Sequence, residues 1–406
     1  MSHDLNDKYR NYKKMTNRLI KEILKNILSL LLFNVSRLFP RDKNLWVFGT
    51  GKNPNESQRY LYEYIKRKHP EIRCVWIVKK KEHLEYTKKI ADEAYYHRTV
   101  KAIKYMLRAR VFLTSYGTDG FGVFHLHGGA IMVRLFHYIP IKAPNRNLKM
   151  KLYKFRNFLE ILSGERADIA VASSEYDKRF IECQYGDLVK EIVITGKPKS
   201  DIFFEKIDRD KLIKKWIGSD ITFSKVICYL PSHRINKEKS DIEINMHLRD
   251  DWNEDEMEKF LEENNAILII KKHPSYHKEN ESLKKGKRII HLPTITNTQD
   301  ILRASDILIT DYSTVFVDYL LLDRPIIFTP FDLDHFKRVR GFFFDYERMA
   351  PGPKVTTFKS IIKEIDTYIK NPEKDGELRR SIRRIFYKYI DNKSCERVTA
   401  EILKRL

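Results

Sequence analysis

Residues 300–330, DILRASDILITDYSTVFVDYLLLDRPIIFTP, decide the fold. The stretch opens amphipathically, with Ile301 and Leu302 expected to face inward and Arg303 to face water. A compact apolar run follows, Asp306-Ile-Leu-Ile-Thr310, short and β-branched enough for a buried parallel strand. It ends at Asp311-Tyr-Ser-Thr314, and a helical pattern starts at once through Val315, Phe316, Tyr319 and Leu320. Pro325-Ile-Ile-Phe328 closes the unit as a second buried strand. Ser and Thr at such a junction are expected to cap the helix and leave backbone N–H groups pointing outward, where they can hold a phosphate.

The same device recurs on both sides. Leu45–Phe48, Arg73–Val78, Val111–Thr114, Met132–Phe136 and Ala167–Ala172 read as strands in the first half, which ends at Ile192–Asp201 with a tight Gly-x-Pro turn. Lys225–Leu230, Ala266–Ile270, Ile307–Thr310 and Pro325–Phe328 repeat the alternation in the second. Helical segments lie between them, so the class is α/β with parallel sheets, whose ligands sit beyond the carboxyl ends of the strands. Polar residues stand at those ends in the second half: Pro231-Ser-His-Arg234, Lys271-Lys-His273-Pro274, Asp311 to Thr314, and Thr329. Gly49-Thr-Gly51 lacks the spacing of a dinucleotide or P-loop fingerprint and reads as a turn. The charged segment 236–257 reads as an exposed excursion, and 381–406 as two helices. These patterns divide the chain into 1–40, a basic amphipathic helix; 41–210, a first α/β domain; and 211–406, a second.

The chain has 406 residues, 42% of them hydrophobic, enough for two cores. Its 77 Lys and Arg against 55 Asp and Glu leave a net charge of +22, which favours anionic partners. The four cysteines form no CxxC pair, which argues against a zinc site or a disulfide framework. Near the N-terminus, Leu19, Ile20, Ile23, Leu24, Ile27, Leu28 and Leu31 recur at helical spacing behind a basic stretch. This run is shorter than the roughly 20 apolar residues of a membrane span. It fits a helix on the protein's own core or an in-plane helix on an anionic membrane surface, with a membrane span as the third reading.

Two histidine groups stand out. His125 and His127 would share a face on a strand, yet no third metal ligand lies nearby and no metal is expected. His137 ends an apolar run and precedes Tyr-Ile-Pro; a neutral ring at a strand's carboxyl end can accept a proton near pH 7. No nucleophile elbow and no carboxylate pair for glycosidic cleavage is evident. The inventory at the second sheet's edge is that of phosphate recognition plus one or two proton carriers.

Several motifs in order carry a resemblance. Leu135-Phe-His137-Tyr-Ile-Pro-Ile-Lys142, Gly196-Lys-Pro-Lys-Ser-Asp201 and Leu230-Pro-Ser-His-Arg234 come first. Lys271-Lys-His273-Pro274, Ser305 to Thr314, Arg324-Pro-Ile-Ile-Phe328 and Arg340 to Pro353 complete the set. The chain resembles the CDP-glycerol glycerophosphotransferase family, enzymes that prime or polymerise teichoic acids and related polyol-phosphate polymers. The resemblance implies a GT-B-like pair of Rossmann-type domains facing a cleft, attached peripherally to the cytoplasmic face of the cell membrane. It implies transfer of a polyol phosphate, foremost glycerol phosphate, from a CDP-polyol to a hydroxyl of a lipid-linked or polymeric acceptor, with release of CMP. The family's Gly after the first histidine is Tyr138 here, its Trp is Phe136, and the Arg of its Gly-x-Pro-Arg motif is Lys199.

Carried onto these positions, His137 is the expected general base and His273 the residue that steadies the pyrophosphate or protonates the leaving group. Lys142, Arg234, Lys271, Asp311, Ser313, Thr314 and Asp318 are the expected substrate-binding residues, with no metal and no cofactor. The 1–40 helix would meet the anionic membrane surface, residues 41–210 the acceptor and residues 211–406 the CDP-polyol; homo-oligomers are compatible with this. A GT-B glycosyltransferase using a nucleotide sugar is the alternative enzyme. A non-catalytic membrane-surface or nucleic-acid-binding protein is the alternative from another class, although no nucleic-acid module is recognisable and no nucleic-acid partner is expected.

Overall fold

A computed structural model describes residues 26–50, 57–115, 117–122, 125–136, 138–143, 161, 164–217, 221–232, 246–272 and 287–406. Two parallel sheets organise them. The first contains β1 (Asp42–Thr50), β2 (Arg73–Val78), β3 (Ala94–Tyr96), β4 (Ala109–Thr114), β5 (Ile131–Arg134), β6 (Ala167–Ala172) and β7 (Val189–Ile194), in the order β3-β2-β1-β4-β5-β6-β7. The second contains β8 (Lys225–Tyr229), β9 (Ala266–Ile270), β10 (Ile289–His291), β11 (Ile307–Thr310) and β12 (Ile326–Phe328), in the order β10-β9-β8-β11-β12. All pairings are parallel, with Cys228 opposite Leu308 and Leu308 opposite Ile326 in the second sheet. Burial on both faces explains the near-continuous apolar runs of the inner strands.

Both sheets reverse their winding once, between β1 and β4 and between β8 and β11. A crevice opens at the carboxyl end of such a switch point, so the topology marks two ligand-binding edges before any side chain is considered. In the first half Trp46, Phe48, Tyr62 and Trp76 fill the core, Phe48 stacking on Trp76 at 5.4 Å. In the second, Ile267, Ile269, Leu308 and Phe316 do the same.

Three expectations need correction. Arg303 does not face water: it is 8% exposed, and its guanidinium donates to the Glu205 and Lys206 carbonyls, because these main-chain acceptors lie under the helix. Thr314 stands at the start of the Val315–Tyr319 helix without a side-chain cap bond. The exposed excursion is pinned at two points: residues 250, 251 and 253–256 are exposed, but Met246 is buried with its N–H on the Tyr229 hydroxyl, and Met257 is buried on the Glu254–Glu263 helix, because both methionines cover β8 and β9. Residues 236–245 lie outside the described residues.

The last helix, Ser394–Leu403, packs on the first sheet, with Cys395, Val398 and Ile402 joining the core of Trp46 and Trp76. The Asp201 carboxylate accepts the Ser394 and Cys395 N–H groups, which are otherwise orphaned at that helix's start. Residues 26–36 are helical, and no helix among the described residues is long and apolar enough to cross a membrane.

Candidate active site

At the second sheet's switch point, the Asp311 carboxylate accepts the N–H and hydroxyl of Ser232, each at 2.9 Å. This joins the ends of β8 and β11 and fixes the chain just before Arg234. Ser313 is buried and Thr314 half-buried one step further on. The Tyr346 hydroxyl donates to the Asp311 carbonyl at 3.2 Å, and the Tyr312 ring stacks on Phe336 at 4.3 Å. The Asp311–Thr314 turn is thus held from both sides.

Lys271 directly follows β9 and is 4% exposed. Its ammonium donates to the Thr298 hydroxyl at 3.2 Å, and no carboxylate pairs with it among the described residues. Burial pushes its pKa down from 10.5 to about 8. A desolvated cation without a counter-charge is costly, and an anionic ligand would relieve that cost.

The first sheet contributes the facing edge. Gln58 donates to the Gly49 carbonyl and accepts from Ser115, tying the ends of β1 and β4. Ser57, one residue earlier on the Ser57–Lys68 helix, donates to the Phe136 carbonyl at 3.2 Å. Tyr60, almost one turn on, lies beside Asn297, the cap of the Thr298–Ala304 helix that carries Lys271's partner. One helix of the first half therefore touches both the Phe136 segment and the Lys271 neighbourhood.

Two further links close the halves together. Lys142 forms an antiparallel bridge with Phe342, flanked by hydrogen bonds from Phe343 N–H to the Ile141 carbonyl and from Ala143 N–H to the Gly341 carbonyl. The Lys142 ammonium lies 5.4 Å from the Phe336 ring centroid. Lys199 donates to Asp318 at 2.6 Å, both buried. Tyr387, whose pKa burial raises, caps the same region by donating to the Val317 carbonyl.

The structure thus brings Lys271, Asp311, Ser313 and Thr314 to one sheet edge, and Lys142 to a strap between the halves. It places Asp318 behind the Asp311–Thr314 turn as the partner of Lys199. His137, Arg234 and His273 lie outside the described residues: His137 falls between Phe136 and Tyr138, Arg234 two positions after Ser232, and His273 directly after Lys272. His125 and His127 are buried. His127 bonds the Gly164 carbonyl at 2.6 Å, and burial lowers its pKa to about 3, which keeps it neutral. His125 meets the Thr118 hydroxyl at 3.2 Å. Among the described residues no group of three potential ligands is placed to hold a metal.

Sequence reasoning missed Asp177 and Lys197, a buried pair at 3.0 Å beside Tyr138. Ser174 with Asp177 three residues later is a helix-start pattern that could have flagged the acid. Nothing local flagged the lysine.

Comparison with known proteins places this geometry. The chain is 27% identical over 257 residues to the teichoic acid ribitol-phosphate polymerase TarL of Staphylococcus aureus, covering 60% of this chain and 43% of that protein. It is 26% identical over 369 residues to a teichoic acid poly(glycerol phosphate) polymerase of Bacillus spizizenii, covering 86% and 89%. It therefore spans under half of the first relative and most of the second. The structure of the wall teichoic acid polymerase TagF matches with a TM-score of 0.75 at 20% identity, covering 97% of each chain. TagF is also known in a form soaked with CDPG. The model of the CDP-glycerol:poly(glycerophosphate) glycerophosphotransferase family matches residues 31–404, and the chain belongs to that family.

Proposed function

We propose that this protein transfers glycerol phosphate, or a related polyol phosphate, from a CDP-polyol to a hydroxyl of a teichoic-acid-like acceptor. The observation that carries the reading is Lys271, a buried ammonium that no carboxylate pairs with among the described residues, at the same strand edge as Asp311–Thr314 in a chain of this family. In this reading the fold is GT-B-like, with residues 41–210 on the acceptor side and 211–406 on the nucleotide side. The acceptor oxygen attacks the polyol-bearing phosphorus, the P–O bond to CMP breaks, and the hydroxyl proton passes to His137. Lys271, His273, Arg234 and the Ser313–Thr314 turn hold the pyrophosphate and the charge that develops on the departing CMP. Lys142 and Asp318 act at the junction of the two sides, Lys142 towards substrate and Asp318 through Lys199. Such transfers depend mainly on positioning and electrostatic stabilisation, which this inventory supplies.

The membrane reading has its own support. On the helix at 26–36, Ser29 and Ser36 are buried while Ile27, Leu28, Leu31 and Val35 are exposed. Ser36 accepts the Gly128 N–H at 2.8 Å, and Phe33 packs on the His127 ring at 5.0 Å. The helix is therefore held by Ser36, Phe33 and Leu32 and leaves Ile27, Leu28, Leu31 and Val35 outward, the arrangement of an in-plane membrane helix. In this reading the protein works peripherally at the cytoplasmic face of the cell membrane, where a lipid-linked acceptor is presented.

The test is nucleotide release (CMP from labelled CDP-glycerol or CDP-ribitol, the nucleoside diphosphate from labelled nucleotide sugars) together with label transfer, each with a synthetic lipid-linked glycerol phosphate acceptor. Release from a CDP-polyol with label transferred to the acceptor is expected. Transfer from a nucleotide sugar alone would replace this reading with the glycosyltransferase one. His137→Ala should lower turnover by about 10²- to 10⁴-fold with donor affinity retained. His273→Ala should lower both.

A further inference from the structure

The residue before His137 is Phe136, whose φ is +50°. A bulky side chain in the left-handed region persists only where its surroundings over-determine it. Here they do. Ser57 donates to the Phe136 carbonyl, the ring lies 5.3 Å from Tyr185, and the Lys197 ammonium sits 5.8 Å from its centroid. The same ammonium donates to the Tyr138 carbonyl at 2.5 Å. One cation thus grips the chain on both sides of position 137.

Lys197 is 1% exposed and pairs at 3.0 Å with the fully buried Asp177, whose carboxylate also accepts the Ser173 N–H at 2.8 Å. Burial lowers the lysine's pKa and Asp177 opposes that shift. An apolar pair of similar volume is often as stable as a buried ion pair or more so. Stability alone therefore does not account for a charge here.

We propose that Lys197 is a positioning residue for the transfer: it holds Phe136 and Tyr138, the two neighbours of His137 in the chain, with Asp177 as its counter-charge. The proposal rests on the assignment of His137 as the base. Buried at 1% exposure, Lys197 acts through the residues that flank the base. A misplacement of about 1 Å can cost about 10²-fold in rate.

Lys197→Met alone leaves Asp177 buried without a partner, so the deciding variant is Asp177→Asn with Lys197→Met, which removes both charges. It should melt within a few degrees of wild type and bind CDP-glycerol with unchanged Kd, while kcat falls about 10²-fold. Asp177→Asn with Lys197→Gln, which can still donate to the Tyr138 carbonyl, should recover at least about tenfold of that loss. Added to His137→Ala, the Asn/Met pair should cause no further loss. Wild-type kcat in the Asn/Met variant, or a full multiplicative loss on top of His137→Ala, overturns the positioning role. If His137→Ala itself turns over at the wild-type rate, the base assignment falls and this proposal falls with it. A normal Asn/Met variant beside an inactive His137→Ala removes only the role of Lys197.

Discussion

Replacing Lys271 by methionine should stabilise the free protein while abolishing its grip on the donor. The ammonium's pKa falls from 10.5 in the unfolded chain to about 8 in the fold, with desolvation as the cause. At 1.36 kcal/mol per pH unit, that difference corresponds to about 3 kcal/mol. The folded value lies below the unfolded one, so the unfolded chain binds the proton more tightly. The penalty is therefore fully present below pH 8 and fades as pH rises from about 8 to 10.5. Methionine has similar length and no charge, so at pH 7 Lys271→Met should raise the thermal midpoint by several degrees, and this advantage should vanish near pH 10.5. Donor binding brings negative charge to the ammonium and draws a proton onto the lysine. Calorimetry of CDP-glycerol binding should accordingly show wild-type affinity falling up to tenfold per unit above pH 8. Uptake of about half a proton per donor is expected at pH 8. The methionine variant should bind weakly, with no such pH dependence. A variant no more stable than wild type at pH 7, with donor affinity intact, would refute the reasoning.

Other outcomes follow from the same geometry. Lys199→Ala strands the buried Asp318 carboxylate and should destabilise the protein by about 3–5 kcal/mol, measured by urea unfolding, whereas Lys199→Met with Asp318→Leu should come close to wild type. Ser313→Ala and Thr314→Ala should each weaken CDP-polyol binding by about 1.5–3 kcal/mol without changing the melting temperature; unchanged affinity in the double variant would remove the phosphate-cradle role. Leu28→Ser with Leu31→Ser and Val35→Ser should reduce sedimentation with anionic vesicles and leave the fold intact, since these side chains are exposed. High salt should weaken binding of the unaltered chain by screening its basic residues.

The alternation of strands and helices was legible in the sequence because burial on both faces makes an inner parallel strand a short continuous apolar run. Such a run announces itself without knowledge of its neighbours, as Ile307–Thr310 and Ala266–Ile270 do. The polar groups past the strand ends were legible for a related reason: chain direction alone decides that those residues gather at one edge of a parallel sheet. The edge strands Ala94–Tyr96 and Ile289–His291 were not legible, because three residues hold too little pattern to separate a strand from a turn. Nor were the partners of the charges. Arg303 looked like a solvated residue, and Lys197, Lys199, Asp177 and Asp318 carried no local signal of burial. A charge can be buried only when another group neutralises or solvates it, and Lys199 finds its partner 119 residues away. The Gly341–Phe343 strap and the return of Ser394–Leu403 to the first sheet are decisions of the same kind. Periodicity reports which face of an element meets the interior, whereas the pairing of distant charges and edges is settled only when the two halves meet.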